Sequence, residues 1–193
     1  MRKFLISILF IPIICFGQTK QDLFYLIDKF PKDKSGLVDF YIVDSLKNTN
    51  KEVLHARAIQ AIEYFFKDSP SPLIPAYNDD ENTITYKGRF GRYERAKKGF
   101  STTLNTYIYR FSLKIEYRDN WCRIDIYDIS ECIENNMTDL VDLLNKEYYN
   151  NTKLSASSLK LKYNSIYFIY NYISTKIKSI NEYMKQAGKS SNK

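Results

Sequence analysis

The chain has 193 residues, of which 44% are hydrophobic and 26% charged, with a formal net charge of +7. That is enough apolar material for one ordinary core and too little length for several. One histidine and three cysteines exclude a zinc set of three or four ligands at the usual spacings, and leave any Ser/His/Asp relay dependent on His55 with no nucleophile elbow beside it.

Met1 to Gly17 reads as a secretory signal peptide: Arg2 and Lys3 form the charged start, Phe4 to Ile14 the apolar run, and Cys15 and Gly17 the exit before Gln18. The run is shorter than the roughly 20 residues that span a bilayer, and Pro12 breaks its helix, which argues against a retained anchor. Lipidation at Cys15 would want a small residue immediately before it, and that position holds Ile14. The expected location is therefore across the inner membrane, periplasmic or associated with the cell envelope. Cleavage leaves Cys122 and Cys132, which a disulfide could join only if the chain reversed after Ser130, because ten extended residues separate their ends by about 33 Å.

From Asp22 to Phe30 the apolar residues make a turn or two of helix, and Pro31 and Gly36 mark a break. Leu37 to Val43 reads as a strand with Val38, Phe40 and Ile42 on one face. The spacing Thr49 to Glu52 suits a capping box, and Leu54, Ala58, Ala61, Ile62 and Phe65 then recur at helical intervals as far as Asp68. Pro72 to Tyr77 suits a short edge strand, and Asn78 to Asn82 a turn.

Thr83 to Phe90 alternates with Ile84 and Tyr86 on one face. Tyr107, Tyr109, Phe111, Leu113, Ile115 and Tyr117 then share a face, with Arg110, Ser112, Lys114 and Glu116 opposite, as in a half-buried antiparallel strand. Arg118, Asp119 and Asn120 turn the chain into a partner strand bearing Cys122, Ile124 and Ile126. A helix is expected from Thr138 to about Asn150 on Leu140, Val141, Leu143 and Leu144. A longer one follows Ser157 and Ser158, with Leu159, Ile166, Ile169, Ile173, Ile177, Ile180 and Met184 as its stripe. That stripe suits packing on its own domain; a homo-oligomer seam is the alternative.

The resulting organisation is a leader at 1–17, an N-terminal segment at 18–35, an α+β domain at 36–150, a C-terminal helix at 151–187 and a polar, disordered tail at 188–193. The run Phe40 to Ser45, the Ala-rich helix ending in Tyr64, Phe65 and Phe66, the strand Ile84 to Gly88, and the pair Leu113 to Arg118 and Trp121 to Ile129 resemble a family of secreted bacterial proteins. That family is named only as a domain of unknown function with a TATA-binding-protein-like fold. The resemblance covers about half of the chain and implies a curved antiparallel sheet with helices packed on one face, to which this chain adds a long C-terminal helix. It implies no catalytic residues and no cofactor. Nor does the fold name carry nucleic-acid binding, since a fold does not carry a function and an exported chain does not meet the genome.

The basic segment is the functional candidate. Lys87, Arg89, Arg92, Arg95, Lys97 and Lys98 stand against Glu94 alone, with Phe90 and Tyr93 among them and Gly88, Gly91 and Gly99 as punctuation. Guanidinium groups pair with phosphate or carboxylate, and glycines let backbone amides approach the same anion. This predicts a basic loop that contacts an anionic envelope polymer, a lipid head group or an acidic protein; the alternative is a solvated, mobile hairpin loop whose charges only keep the protein soluble. Hydrolysis by two carboxylates chosen from Asp125, Asp128 and Glu131, or from Asp79, Asp80 and Glu81, is the weaker reading, since both sets look like solvated polar positions. The expected function is a non-enzymatic binding or assembly module of the cell envelope.

Overall fold

The computed structural model describes residues 18–67, 76–78, 82–98, 101–133 and 136–186. The leader, residues 79–81 with their carboxylates, Pro70 and Pro72, and the C-terminal tail lie outside them. Eleven elements are described: α1 (Lys20–Ile27), β1 (Phe40–Ser45), α2 (Lys51–Phe66), β2 (Ala76–Asn78), β3 (Thr83–Lys98), β4 (Ser101–Arg118), β5 (Trp121–Ile133), β6 (Asn136–Asp139), α3 (Leu140–Leu143), α4 (Lys146–Asn151) and α5 (Ala156–Lys185). This is an α+β fold whose strands form one antiparallel sheet in the order β1-β5-β4-β3-β2, with β6 also pairing β5.

Local chemistry sets the element ends. Thr19 and Asp22 form a capping box on α1, and the Ser155 hydroxyl accepts from the Ser158 amide at the start of α5. The cap of α2 is Asn50, one residue later than the Thr49 spacing predicts, and its side chain accepts from the Val53 amide. The tight β4-β5 turn docks on the same helix end: Asp119 accepts from the Lys51 amide, and Asn120 sits at φ +60°, a conformation Asn tolerates.

The expected Thr138 helix is instead a strand end followed by two short helices. Leu140 and Leu143 bury from α3. Asn145 then leaves the helix to cap α4 by accepting from the Glu147 and Tyr148 amides, so the apolar spacing spans a break that periodicity alone does not register.

The core lies between one face of the sheet and the helices. Strand β4 inserts Tyr109, Phe111, Leu113, Ile115 and Tyr117, β5 adds Cys122, Ile124 and Ile126, and α2 covers them with Leu54, Ala58, Ala61, Ile62 and Phe66. The whole α5 stripe from Leu159 to Met184 is buried in this same core, so it packs on its own domain. α1 contributes Leu23, Leu26 and Ile27, and Phe30 just beyond it packs on Phe40 and Tyr170. No described helix is long and apolar enough to cross a membrane.

Around Gly88 the core over the β3-β4 pair is aromatic. Phe90 stacks on Tyr172 of α5 with centroids 4.0 Å apart and on Tyr109 at 5.1 Å, while Phe111 meets Phe66, Tyr86 and Phe90. Gly88 stands directly opposite Phe111, and its missing side chain is the space that the rings of Phe111 and Tyr86 occupy. Changing Gly88 to Ala is therefore expected to cost about 1–3 kcal/mol through overpacking. The control is Gly91→Ala, whose new methyl would meet only the Tyr107 carbonyl at 3.6 Å. Urea unfolding should separate the two; equal midpoints would refute the role given to Gly88.

Candidate functional site

The basic segment is not a loop. Residues 87–98 belong to β3, which pairs with β4 continuously from Thr83 opposite Glu116 to Lys98 opposite Ser101. Strand alternation then divides the candidate residues between two faces.

Gly88 and Phe90 point to the helices and are buried; Phe90 is 4% exposed, so it cannot meet a ligand, and Gly88 serves ring packing instead of anion approach. Arg92 follows them inward, where its guanidinium donates to the Ser165 hydroxyl of α5 at 3.0 Å and lies over the Tyr107 ring. Lys87, Arg89 and Tyr93 take the opposite face, Tyr93 being 71% exposed. The backbones of Arg95, Lys97 and Lys98 lie in β3, and their side chains fall outside the described part of the structure.

The face turned away from α2 and α5 carries two zones of opposite charge. On β3 and β4, Arg89 and Arg110 are direct cross-strand neighbours with Lys87 two residues away, a basic group to which composition alone could not assign Arg110. Toward β5 and β1 the charge reverses. A cleft of about 650 Å³ is bounded by Asp33, Asp39, Asp125, Asp128 and Asp139, against Lys114 and Arg123. Lys114 pairs with Glu116 beside it.

Within the cleft Arg123 binds Asp125, Nε to Oδ1 at 2.8 Å, and lies 3.7 Å from Asp39. One guanidinium thus serves two carboxylates. Burial, reinforced by the nearby Asp125 charge, pushes the Asp39 carboxyl above its ordinary value, with Arg123 opposing in part. Asp125 is 5% exposed, so it is not the solvated position its sequence context suggests.

Glu131 is equally buried, on the other face. Arg110 pairs with Ser130 while Ser112 pairs with Tyr127, so Phe111 stands across from both Asp128 and Ile129, and Asp128 turns to φ +49°. This bulge shifts the alternation and brings Glu131 opposite core-facing Tyr109. Burial and the Glu131 charge there hold the Tyr109 phenol well above its usual range. Asp125 and Glu131 therefore lie on opposite faces of one sheet and cannot flank a common bond.

The remaining candidates have packing roles. His55 packs edge-on against Tyr117 and hydrogen-bonds its hydroxyl through Nδ1. Cys122 and Cys132 occupy the same strand, opposite Tyr117 and Ile108, and both are free thiols; burial pushes the Cys122 thiol up to about 11. Among the described residues no three His, Cys, Asp or Glu side chains come together to hold a metal.

Two solved bacterial structures share the architecture. A DUF4468 family protein from Bacteroides ovatus aligns with a TM-score of 0.56 at 12% identity, over 83% of this chain and 92% of its own. A TBP-like protein from Parabacteroides distasonis aligns with a TM-score of 0.56 at 15% identity, over 82% of this chain and 98% of its own. No family model and no curated protein matches the sequence. The neighbours establish the fold that the sequence resemblance implies, a TATA-binding-protein-like arrangement.

The cleft makes a prediction about pH. Folded Asp39 holds its proton more tightly than the unfolded chain, so its contribution to stability is complete below the ordinary value of 3.8 and lost as pH rises through the folded value. Asp39→Asn should therefore gain stability relative to wild type between acid and neutral pH, read from denaturation midpoints at each pH. A difference that does not change with pH would contradict this.

Proposed function

We propose that the protein is an exported, non-enzymatic binding or assembly module of the bacterial cell envelope that contacts an anionic surface through the face of its β3-β4 hairpin turned away from α2 and α5. The observation that carries this reading is the cross-strand juxtaposition of Arg89 and Arg110 beside Lys87, on the face the core-forming helices leave open. Two guanidiniums on adjacent strands raise a local positive potential, and each can make paired hydrogen bonds to a phosphate or carboxylate. A rigid ladder holds them in place, which lowers the ordering cost that a mobile loop would impose on binding.

The leader anatomy supports export, and the chemistry supports an envelope polymer, a lipid head group or an acidic protein surface as the contact. Arg92 and Phe90 are left out of the binding set because the core uses them. Tyr93, exposed further along the same face, is a rim contact.

The test replaces Lys87, Arg89 and Arg110 together by Ser and compares capture on phosphatidylglycerol vesicles and on isolated envelope fractions at low and high salt. Wild-type capture should weaken as salt rises, and the triple variant should lose at least about tenfold at low salt, in keeping with the screening of exposed charges. Retention of full capture by a folded variant would end the proposal.

A further inference from the structure

The acid-rich cleft lies where one edge of β5 changes partners. β1 ends its ladder at Phe40 opposite Ile126, and β6 has Asp139 opposite Ser130. Tyr127, Asp128 and Ile129 between them pair with no described strand on that edge, and all three line the cleft. On β4 the same window runs only from Arg110 to Ser112, because the bulge takes up the extra residue, so it is about 7 Å wide.

The charges around the window do not balance. Among the described residues lining the cleft are six carboxylates and two cations. Both cations are committed, Lys114 to Glu116, and Arg123 to Asp125 with Asp39 at 3.7 Å. Asp39 Oδ1 is nevertheless sealed from solvent with no donor beside it. Ser130 is 4% exposed and lines the cleft, and no hydrogen bond among the described residues uses its hydroxyl. Asp139 stands at the N-cap of α3 without bonding that helix through its side chain, and the bulge leaves Asp128 exposed at φ +49°. Buried acceptors therefore line a recess whose own donors are already taken.

We propose that this cleft binds an aliphatic primary ammonium group, the chemistry of a lysine side chain or of a diamine, with Asp39, Ser130 and Asp128 accepting its N–H bonds. An ammonium carries three donors and no acceptor, which is the complement of a buried carboxylate oxygen beside a buried hydroxyl. Two charge-assisted hydrogen bonds of about 2.8 Å each fit within the window. A quaternary ammonium has no N–H to give. A bare metal ion is disfavoured because no three described carboxylates come together to hold one, whereas the volume of about 650 Å³ has room for an organic body. Leu37 and Val141, both exposed on the cleft walls, supply apolar surface for the stem behind the charged head. The site is separate from the Arg89 and Arg110 zone and does not depend on it.

Titration calorimetry at low salt tests this with two amine probes, Nα-acetyl-lysine amide and 1,5-diaminopentane, against the uncharged Nα-acetyl-norleucine amide and calcium chloride. Saturable binding of an amine, at least about tenfold tighter than norleucine amide and weakened by salt, is the expected result. Tighter binding of the lysine probe points to a peptide-borne amine, and tighter binding of the diamine to a free one. Asp39→Asn keeps the side-chain shape, and Asp128→Asn lies where Asn tolerates the backbone. Each should weaken binding several-fold, and together at least about tenfold, while Ser130→Ala weakens it several-fold. The Lys87, Arg89 and Arg110 triple Ser variant should bind amines as wild type does, which keeps this result distinct from the fate of the anionic contact. Absence of saturable amine binding, equal binding of norleucine amide, displacement of the amine by equimolar calcium, or full affinity in the folded Asp39→Asn/Asp128→Asn protein would each overturn the proposal.

Discussion

Phe111 occupying the space above Gly88 is the contact on which the rest of the arrangement depends. Because residue 88 has no side chain, the Phe111 ring can lean across the strand pair and fill a layer with Phe66, Tyr86 and Phe90. Phe90 then meets Tyr172 nearly face to face, which ties α5 to the hairpin. Each ring is fixed by several others, so the layer is a packed unit with little slack. It also decides which residues remain for solvent: once one parity of β3 is committed to rings, Lys87, Arg89 and Tyr93 have no place except the opposite face.

The bulge at Asp128 makes a similar division on β5. Before it, Arg123 and Asp125 lie on the open face; after it, Glu131 lies beneath α5 near Tyr109. A single extra residue thus separates carboxylates that a linear reading places together. The open face keeps a cation-rich zone and an acid-rich cleft, while the sealed face keeps a small polar group that includes Arg92 and Ser165. Buried polar groups of this kind favour one way of seating a helix over its slipped alternatives.

Legibility in the sequence followed how far a signal depended on partners. Strand β4 announced itself through six apolar side chains at alternate positions, and α5 through a stripe that the core then used in full. The resemblance carried by Phe40 to Ser45 and its companions led to the observed fold. The outer half of the hairpin was not legible as strand, because basic side chains and glycines there look the same in a loop as in a ladder. Phe90 shares the parity of Ile84 and Tyr86, so its core facing is legible in the alternation, while the inward facing of Arg92 shows only once the strand is seen to continue past Phe90. The contribution of Arg110 was invisible until cross-strand pairing put it next to Arg89, and the inward turn of Glu131 until the bulge was seen.

The first and last described helices share contacts in the structure, with α1 packing on α5 and Phe30 against Tyr170. Strands β3, β4 and β5 can pair as they emerge, because their partners are close in sequence, and α2 precedes them, yet the part of their face that α5 covers stays open until that helix follows. Synthesis therefore delivers the sheet and α2 before it delivers the second cover. Until then Phe90 lacks its stacking partner Tyr172, and the aromatic layer has only the Phe66 side of its cover. Docking of α5 is what completes that layer.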